Sequence, residues 1–345
     1  MVRHPHPAAD RHPGPLRQFG LLTLALLCAL PALASSAGAE PRRPFLAYQA
    51  SWEAPPASSG AQTSLAGLPA YITHVALAFV KPDLVYPGGL DLSATGLQYP
   101  YSGAVLRDAI AALKRRNRET KVLLAVGGAT YGGWDRLDTD ALARLVADLG
   151  ADGVDIDYEP KHPSCVALSG RVHCADDLFS IRLVEQVRAA LPRPLVVSIA
   201  GWSVGAYGEG AFADAPPRSQ WRGSMLALLR SPAAGALDLV SIMSYDAGPS
   251  YRPEDAFRAY RALWKGPLAL GVQVEPGTNG GPRFTLAYTG SILAAVADDP
   301  LAGAMLYALE LEPPGPPGPD NPDYRSLAAA ICVTLDLADC SALVP

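Results

Sequence analysis

Residues 152–159 read Asp152-Gly153-Val154-Asp155-Ile156-Asp157-Tyr158-Glu159. On an extended strand successive side chains point to opposite faces. Asp155, Asp157 and Glu159 therefore share one face, and Val154, Ile156 and Tyr158 share the other. Alternation with apolar residues argues against a solvated acidic loop, and the run lacks the Gly-turned spacing of a calcium loop. This strand is the fourth of eight. Runs rich in apolar and β-branched residues recur at 45–49, 72–80, 121–126, 153–157, 195–200, 237–244, 268–274 and 304–309. Amphipathic stretches lie between them at 104–117, 140–149, 177–191, 219–229, 253–264 and 291–297, with 324–330 after the last strand. Strands alternating with helices imply a parallel sheet. Eight such units over this length predict an α/β fold, a single (β/α)8 TIM barrel without a large insertion domain. The Gly-x-Gly-x-x-Gly of a dinucleotide-binding unit is missing.

The 345 residues are 49% hydrophobic and 18% charged, with net charge -5. That composition suffices for a folded core. It offers no basic excess to attract nucleic acid. The N-terminal residues carry Arg3, Arg11 and Arg17, then the apolar run 19–34, then small residues up to Ala39. This is the order of a secretory signal peptide, so cleavage near Ala39 and export to the extracellular space or periplasm are expected. The run is interrupted by Pro31 and is too short to span a bilayer. Lipid anchoring at Cys28 is the alternative, disfavoured by the bulky Leu27 before it. The barrel domain then occupies 40–345, and a monomer is expected. Cys165, Cys174, Cys332 and Cys340 remain, an even number that suggests disulfides in an exported protein. Three pairings exist, and Cys165–Cys174 with Cys332–Cys340 is preferred because each closes a short loop. No metal site is expected, since zinc-type spacings and His partners are missing, and no cofactor is implied.

Barrel enzymes place their chemistry at the C-terminal ends of the strands. Here those ends carry Gly127-Gly128, Glu159, Tyr245-Asp246, and Gln273 with Glu275. Three carboxyl groups facing one interior cannot all ionise cheaply, so a proton is retained near neutral pH. Glu159, the outermost, is the natural proton donor, with Asp157 beneath it as its partner.

Asp152 to Glu159 resembles the Asp-Gly-x-Asp-x-Asp-x-Glu signature of the family 18 glycoside hydrolases, the chitinase family. Met243-Ser244-Tyr245-Asp246 resembles that family's Met-x-Tyr-Asp. Ala125-Val126-Gly127-Gly128 is similar to its Ser-x-Gly-Gly, with Ala in place of Ser. Gly303 to Tyr307 is similar to the eighth-strand motif, with Tyr307 where chitinases usually carry Trp. The resemblance implies hydrolysis of β-1,4-linked N-acetylglucosamine with retention, assisted by the substrate's own acetamido group. It implies Glu159 as acid and base, Asp157 orienting the acetamido N–H, Tyr245 holding its oxygen, and Asp155 supporting Asp157. Met243, Asp246, Tyr307 and Gly128 from these motifs, with Gln273 from the end of the seventh strand, are the expected substrate-binding set. The short segment between the seventh and eighth strands implies a shallow cleft open at both ends.

Trp at barrel strand ends suits the apolar face of a sugar, which adds Trp202 and Trp52, with Trp134 behind them. Trp221 and Trp264 fall in helical patterns and read as packing residues. Three other readings stand beside it: a retaining glycosidase with Glu159 and nucleophile Glu275, an endo-β-N-acetylglucosaminidase that acts on N-glycans with the same residues, and a chitinase-like protein that binds glycans without cleaving them.

Overall fold

The computed structural model describes residues 42–275 and 280–345, with Gly14 as an isolated described position. The expected leader over 1–39, Cys28 within it and the proposed cleavage site all lie outside the described residues. In chain order the elements are β1 (Phe45–Ala50), α1 (Ser64–Gly67), β2 (His74–Val80), α2 (Gly103–Arg116), β3 (Lys121–Gly127), α3 (Thr139–Leu149) and β4 (Gly153–Asp157). A small hairpin, β5 (Val166–Leu168) and β6 (Arg171–His173), precedes α4 (Asp177–Ala190) and β7 (Val196–Trp202). Then follow α5 (Leu226–Arg230), β8 (Leu239–Met243), α6 (Pro253–Leu263), β9 (Leu268–Gln273), α7 (Leu286–Ala294), β10 (Ala302–Leu309) and α8 (Tyr324–Thr334).

Eight of these strands form a closed barrel in the order β1-β10-β9-β8-β7-β4-β3-β2, each neighbouring pair parallel. This is the (β/α)8 barrel. Only residues 274–301 separate β9 from β10, so no extra domain is inserted there.

The two faces of each strand separate the core into two parts. Val75, Leu77, Leu124, Val126, Val154 and Ile156 face outward into the layer shared with the helices. Tyr48, Ala76, Ala78, Ala125, Ala200, Ala269 and Met305 fill the interior. Burying Val154 and Ile156 completely contributes roughly 1.5–3 kcal/mol each, which helps offset the cost of placing acids on the same strand's inner face. The alanines on the flanking strands leave room for those acids.

Helix α5 departs from the sequence expectation of a helix over 219–229. Only Leu226–Arg230 is α-helical, because Gly223 adopts φ 92° and breaks the helical run. The apolar period there is genuine, since Met225, Leu228 and Leu229 are buried, but its first turn belongs to a loop. Helix α7 likewise begins earlier than expected, where the Thr285 side chain accepts the Tyr288 N–H. The hairpin β5–β6 was not anticipated. Ser169 and Gly170 both have positive φ (51° and 77°), the requirement of a tight two-residue hairpin turn.

Both expected disulfides are present, Cys165–Cys174 and Cys332–Cys340. No helix among the described residues is long and apolar enough to cross a membrane, and no group of His, Cys, Asp and Glu among them is suited to hold a metal ion.

Candidate active site

The site is built upward along β4. At its foot, Asp152 accepts hydrogen bonds from Lys114 Nζ (2.7 Å) and the Val122 N–H (2.8 Å), tying the strand to α2 and β3. At Gly153, with φ 151°, a Cβ would fall 1.9 Å from the Val196 carbonyl oxygen. Only glycine lets β4 lie this close to β7. Above it Asp155 is completely buried and accepts hydrogen bonds from the hydroxyls of Tyr48 and Ser198. Burial raises its pKa and the two hydroxyls oppose the rise.

Asp157, one level higher, differs. It is 4% exposed, and its Oδ1 has no hydrogen-bond partner. Burial first, then the charges of Glu159 and Asp155, push its carboxyl well above the usual range. Glu159 stands past the end of the strand, and burial, followed by the nearby Asp246 carboxylate, pushes it up to about 7. These groups titrate as a set, with fewer charges than carboxyls near neutrality.

The neighbouring strand ends close around this pair. Tyr245, past β8, donates its hydroxyl to the Met305 thioether at 3.8 Å, a weak acceptor. Its ring lies 5.8 Å from Tyr307, and Tyr307 also meets Tyr48 and Phe79 at 5.7 and 6.5 Å. Gln273 Nε2 donates to Asp246 Oδ1 at 3.3 Å.

A cavity of about 650 Å³ opens over these groups, within the range of small-molecule sites. Asp157, Glu159, Trp202, Met243, Tyr245, Asp246, Gln273 and Tyr307 all line it, and so does Glu275. The structure thus brings together most of the residues singled out in the sequence, and Asp155, Gly128, Trp52 and Trp134 are the ones that do not line this cavity. Asp155 lies beneath the cavity. Gly128 is not part of its wall: the Gly128 N–H donates to the Asp157 carbonyl at 2.9 Å, and a Cβ there would meet the Phe79 ring, so it holds β3 to β4. A second hollow of about 370 Å³ also has Glu159 in its wall and is lined by Tyr131, Trp134, Tyr158 and Phe179. Trp52 lines neither space and stacks on Phe79.

The sequence reading missed four contributors. Phe79 lines the cavity from β2, where nothing marks it off from core residues. Tyr48 and Ser198 hold Asp155, and their inward register follows from strand alternation once the barrel is closed. Trp221, read as helix packing, lines the cavity and stacks on Trp202 with ring centroids 4.5 Å apart. Trp264 is a core residue as expected, with its Nε1 donating to the Pro267 carbonyl.

The chitinase of Plasmodium falciparum (isolate 3D7) is 32% identical over 152 residues, 41% of this chain and 39% of that protein. The chain thus matches about two fifths of the length of that curated relative. Among solved structures, catalytic domain 2 of the Group II chitinase of Ostrinia furnacalis, a variant in complex with an N-acetylglucosamine oligomer, superimposes with a TM-score of 0.57 at 16% identity. That match covers 86% of this chain and 97% of that one. A chitinase from Rhizomucor miehei gives a TM-score of 0.52 at 17% identity, covering 85% and 100%. At such identities these likenesses concern the fold. Residues 45–259, from β1 into α6 and including all of β4, match the sequence profile of glycosyl hydrolases family 18: the chain belongs to that family.

Proposed function

We propose that the protein is a secreted retaining glycosidase that cleaves β-1,4-linked N-acetylglucosamine in chitin or its oligomers, using the substrate's acetamido group as nucleophile. The observation that carries this reading is the contrast at the top of β4. A buried carboxyl oxygen on Asp157 has no partner, beside a Glu159 held near pKa 7 at the cavity edge.

In this mechanism the sugar to be cleaved lies in the larger cavity and its leaving neighbour in the Tyr131–Trp134 hollow, so that the glycosidic oxygen sits over Glu159. Glu159 gives its proton to that oxygen as the bond to the anomeric carbon breaks. The acetamido oxygen forms the new bond to that carbon. The acetamido N–H, made more acidic as its carbonyl donates electrons, hydrogen-bonds to the open Oδ1 of Asp157. Tyr245 exchanges its weak thioether acceptor for the acetamido oxygen and fixes its line of attack. Water, deprotonated by Glu159, then opens the oxazolinium ring, and the anomeric configuration is kept. Tyr307, Trp202 and Met243 supply apolar wall for the sugar faces.

The proposed mature chain begins near residue 40. Export agrees with two disulfides, which persist in oxidising compartments.

A second reading rests on Glu275, which lines the same cavity and would serve as an enzyme nucleophile opposite Glu159. Incubation with N-acetylglucosamine oligomers and with their fully deacetylated counterparts separates the two. Substrate assistance requires cleavage of the first only, and loss of at least about 10³-fold activity in Glu159→Gln. Efficient cleavage of deacetylated oligomers would instead establish the carboxylate pair.

A further inference from the structure

Trp221 does more than line the cavity. Its indole Nε1–H donates to the carbonyl of Pro160 at 2.8 Å, the residue that follows Glu159. Its ring is held on Trp202 at 4.5 Å and 17°, and the Trp202 carbonyl is itself fixed by the Tyr260 hydroxyl. The loop that carries Trp221 is cross-linked by hydrogen bonds. The neighbouring Arg222 guanidinium donates to the carbonyls of Phe212, Ala213, Ala215 and Pro217.

The segment after Glu159 is docked on this same loop further along. Val172 of β6 packs against Gly208 and Gly223, where an added Cβ would approach it to 2.7 and 2.5 Å. The Val172 N–H donates to Glu209 Oε1 at 2.7 Å. The Cys165–Cys174 bridge and the bond from the Ala175 N–H to the Pro163 carbonyl (2.8 Å) close the hairpin's base. Between Asp157, where β4 ends, and this docked hairpin, Tyr158 is held before Glu159 by the rings of Trp134 and Phe179, at 5.4 and 5.2 Å, and Pro160 is held after it by the Trp221 indole.

We propose that Trp221 is a positioning residue: its indole N–H holds the Pro160 carbonyl, and through it keeps the Glu159 carboxyl at the cavity edge, away from bulk water. A displacement of about 1 Å at a reacting group can cost on the order of 10²-fold in rate, so a single hydrogen bond at this place has leverage. The inference rests on the reading of Glu159 as proton donor, but its structural half can be measured without turnover.

The experiment uses the full chain with Trp221→Phe, and with Trp221 replaced by benzothienylalanine, an isostere that keeps the indole shape and stacking but has no N–H. Glu159 is titrated by carboxyl ¹³C NMR, its signal assigned by its loss in Glu159→Gln. The groups that face it are unchanged in both variants: Asp157 on β4, Tyr245 and Asp246 after β8, Glu275 after β9, Tyr307 and Glu312 around the end of β10, and Arg218 on the Trp221 loop, with Tyr131, Asp135, Tyr158 and Lys161 around the second hollow. A freed segment lets water reach the carboxyl, so its midpoint should fall by about 0.5 pH unit or more from its raised position. On N-acetylglucosamine oligomers kcat should fall about 10-fold, with KM within about twofold because the ring wall remains in the isostere. An isostere with wild-type titration and kcat overturns the proposal, and if Trp221→Phe alone then loses activity, ring packing is the cause. Should Trp221→Phe not fold, the isostere decides. A wild-type protein that cleaves no such oligomer sinks the proposed function, while the titration still tests the tether.

Discussion

Asp155 and Asp157 are two residues apart on one face of one strand, and their surroundings could hardly differ more. In the lower layer of the barrel, two hydroxyls complete the hydrogen bonds of Asp155. In the upper layer, Asp157 keeps a buried oxygen without a partner and has Glu159 above it. A buried polar atom left unsatisfied costs about 1–3 kcal/mol. The lower layer therefore looks built for stability, and the upper one holds a local cost that a ligand can relieve. Replacing these residues one by one tests that division.

Of the two aspartates, the larger effect on activity is expected at Asp157. Asp157→Asn keeps the volume but cannot develop the negative charge that would strengthen the bond from the acetamido N–H as the reaction proceeds, and kcat should drop by about 10²–10³-fold, the scale of losing one transition-state hydrogen bond. The fold should persist, as judged by thermal melting. A variant that retains more than about a tenth of wild-type kcat would remove Asp157 from the reaction.

Asp155→Ala should produce the opposite pattern. The hydroxyls of Tyr48 and Ser198 would lose their acceptor in a dry layer, for an expected loss of about 2–4 kcal/mol in denaturant unfolding at neutral pH. If stability is unchanged while activity vanishes, Asp155 belongs with the upper layer.

The upper layer should also reveal itself through pH. The folded-state pKa of Glu159 is raised to about 7, so its protonated form is favoured by folding. Its contribution is fully present below the ordinary carboxylate range and is lost as pH rises through about 7. Glu159→Gln has no such loss. The variant should match wild type near pH 4 and exceed it near pH 8 by up to about 3 kcal/mol, less whatever solvent reaches the carboxyl. Melting curves across that range check the sign, and parallel curves would mean that Glu159 ionises normally. The same titration sets an alkaline limb of activity near pH 7, because the acid must begin protonated.

How much of this was legible in the sequence depended on whether local pattern and tertiary role coincide. They coincide on β4, where alternation alone separates Val154 and Ile156 from Asp155 and Asp157, and the structure places the strand over the residues expected, Gly153–Asp157. They diverge at Trp221. Its spacing to Met225 and Leu228 is helical, yet the prolines before it and Gly223 after it turn that stretch into a loop facing the cavity. The glycine inside an apparent helix was the available clue. The hairpin after Glu159 had one as well, Ser169-Gly170 between two Val-containing runs flanked by cysteines. The hydroxyl partners of Asp155 had none, since Tyr48 and Ser198 lie 107 and 43 residues away from it in sequence and meet it only when the barrel closes.

Tyr48→Phe offers the smallest and most discriminating test of the two layers. Tyr48 sits at the boundary, bonded to Asp155 below and lying 5.7 Å from Tyr307 of the cavity wall. The substitution keeps that ring contact and removes only the hydroxyl. Asp155 would keep its bond from Ser198, so the expected cost is about 1 kcal/mol of stability, with kcat lowered no more than about threefold because the Asp157 oxygen is untouched. Denaturant unfolding and steady-state kinetics on the same preparation separate the two quantities. A kcat loss comparable to that of Asp157→Asn, at unchanged stability, would mean that the lower layer transmits charge to the reaction, and the division between a structural and a chemical level of the barrel would have to be abandoned.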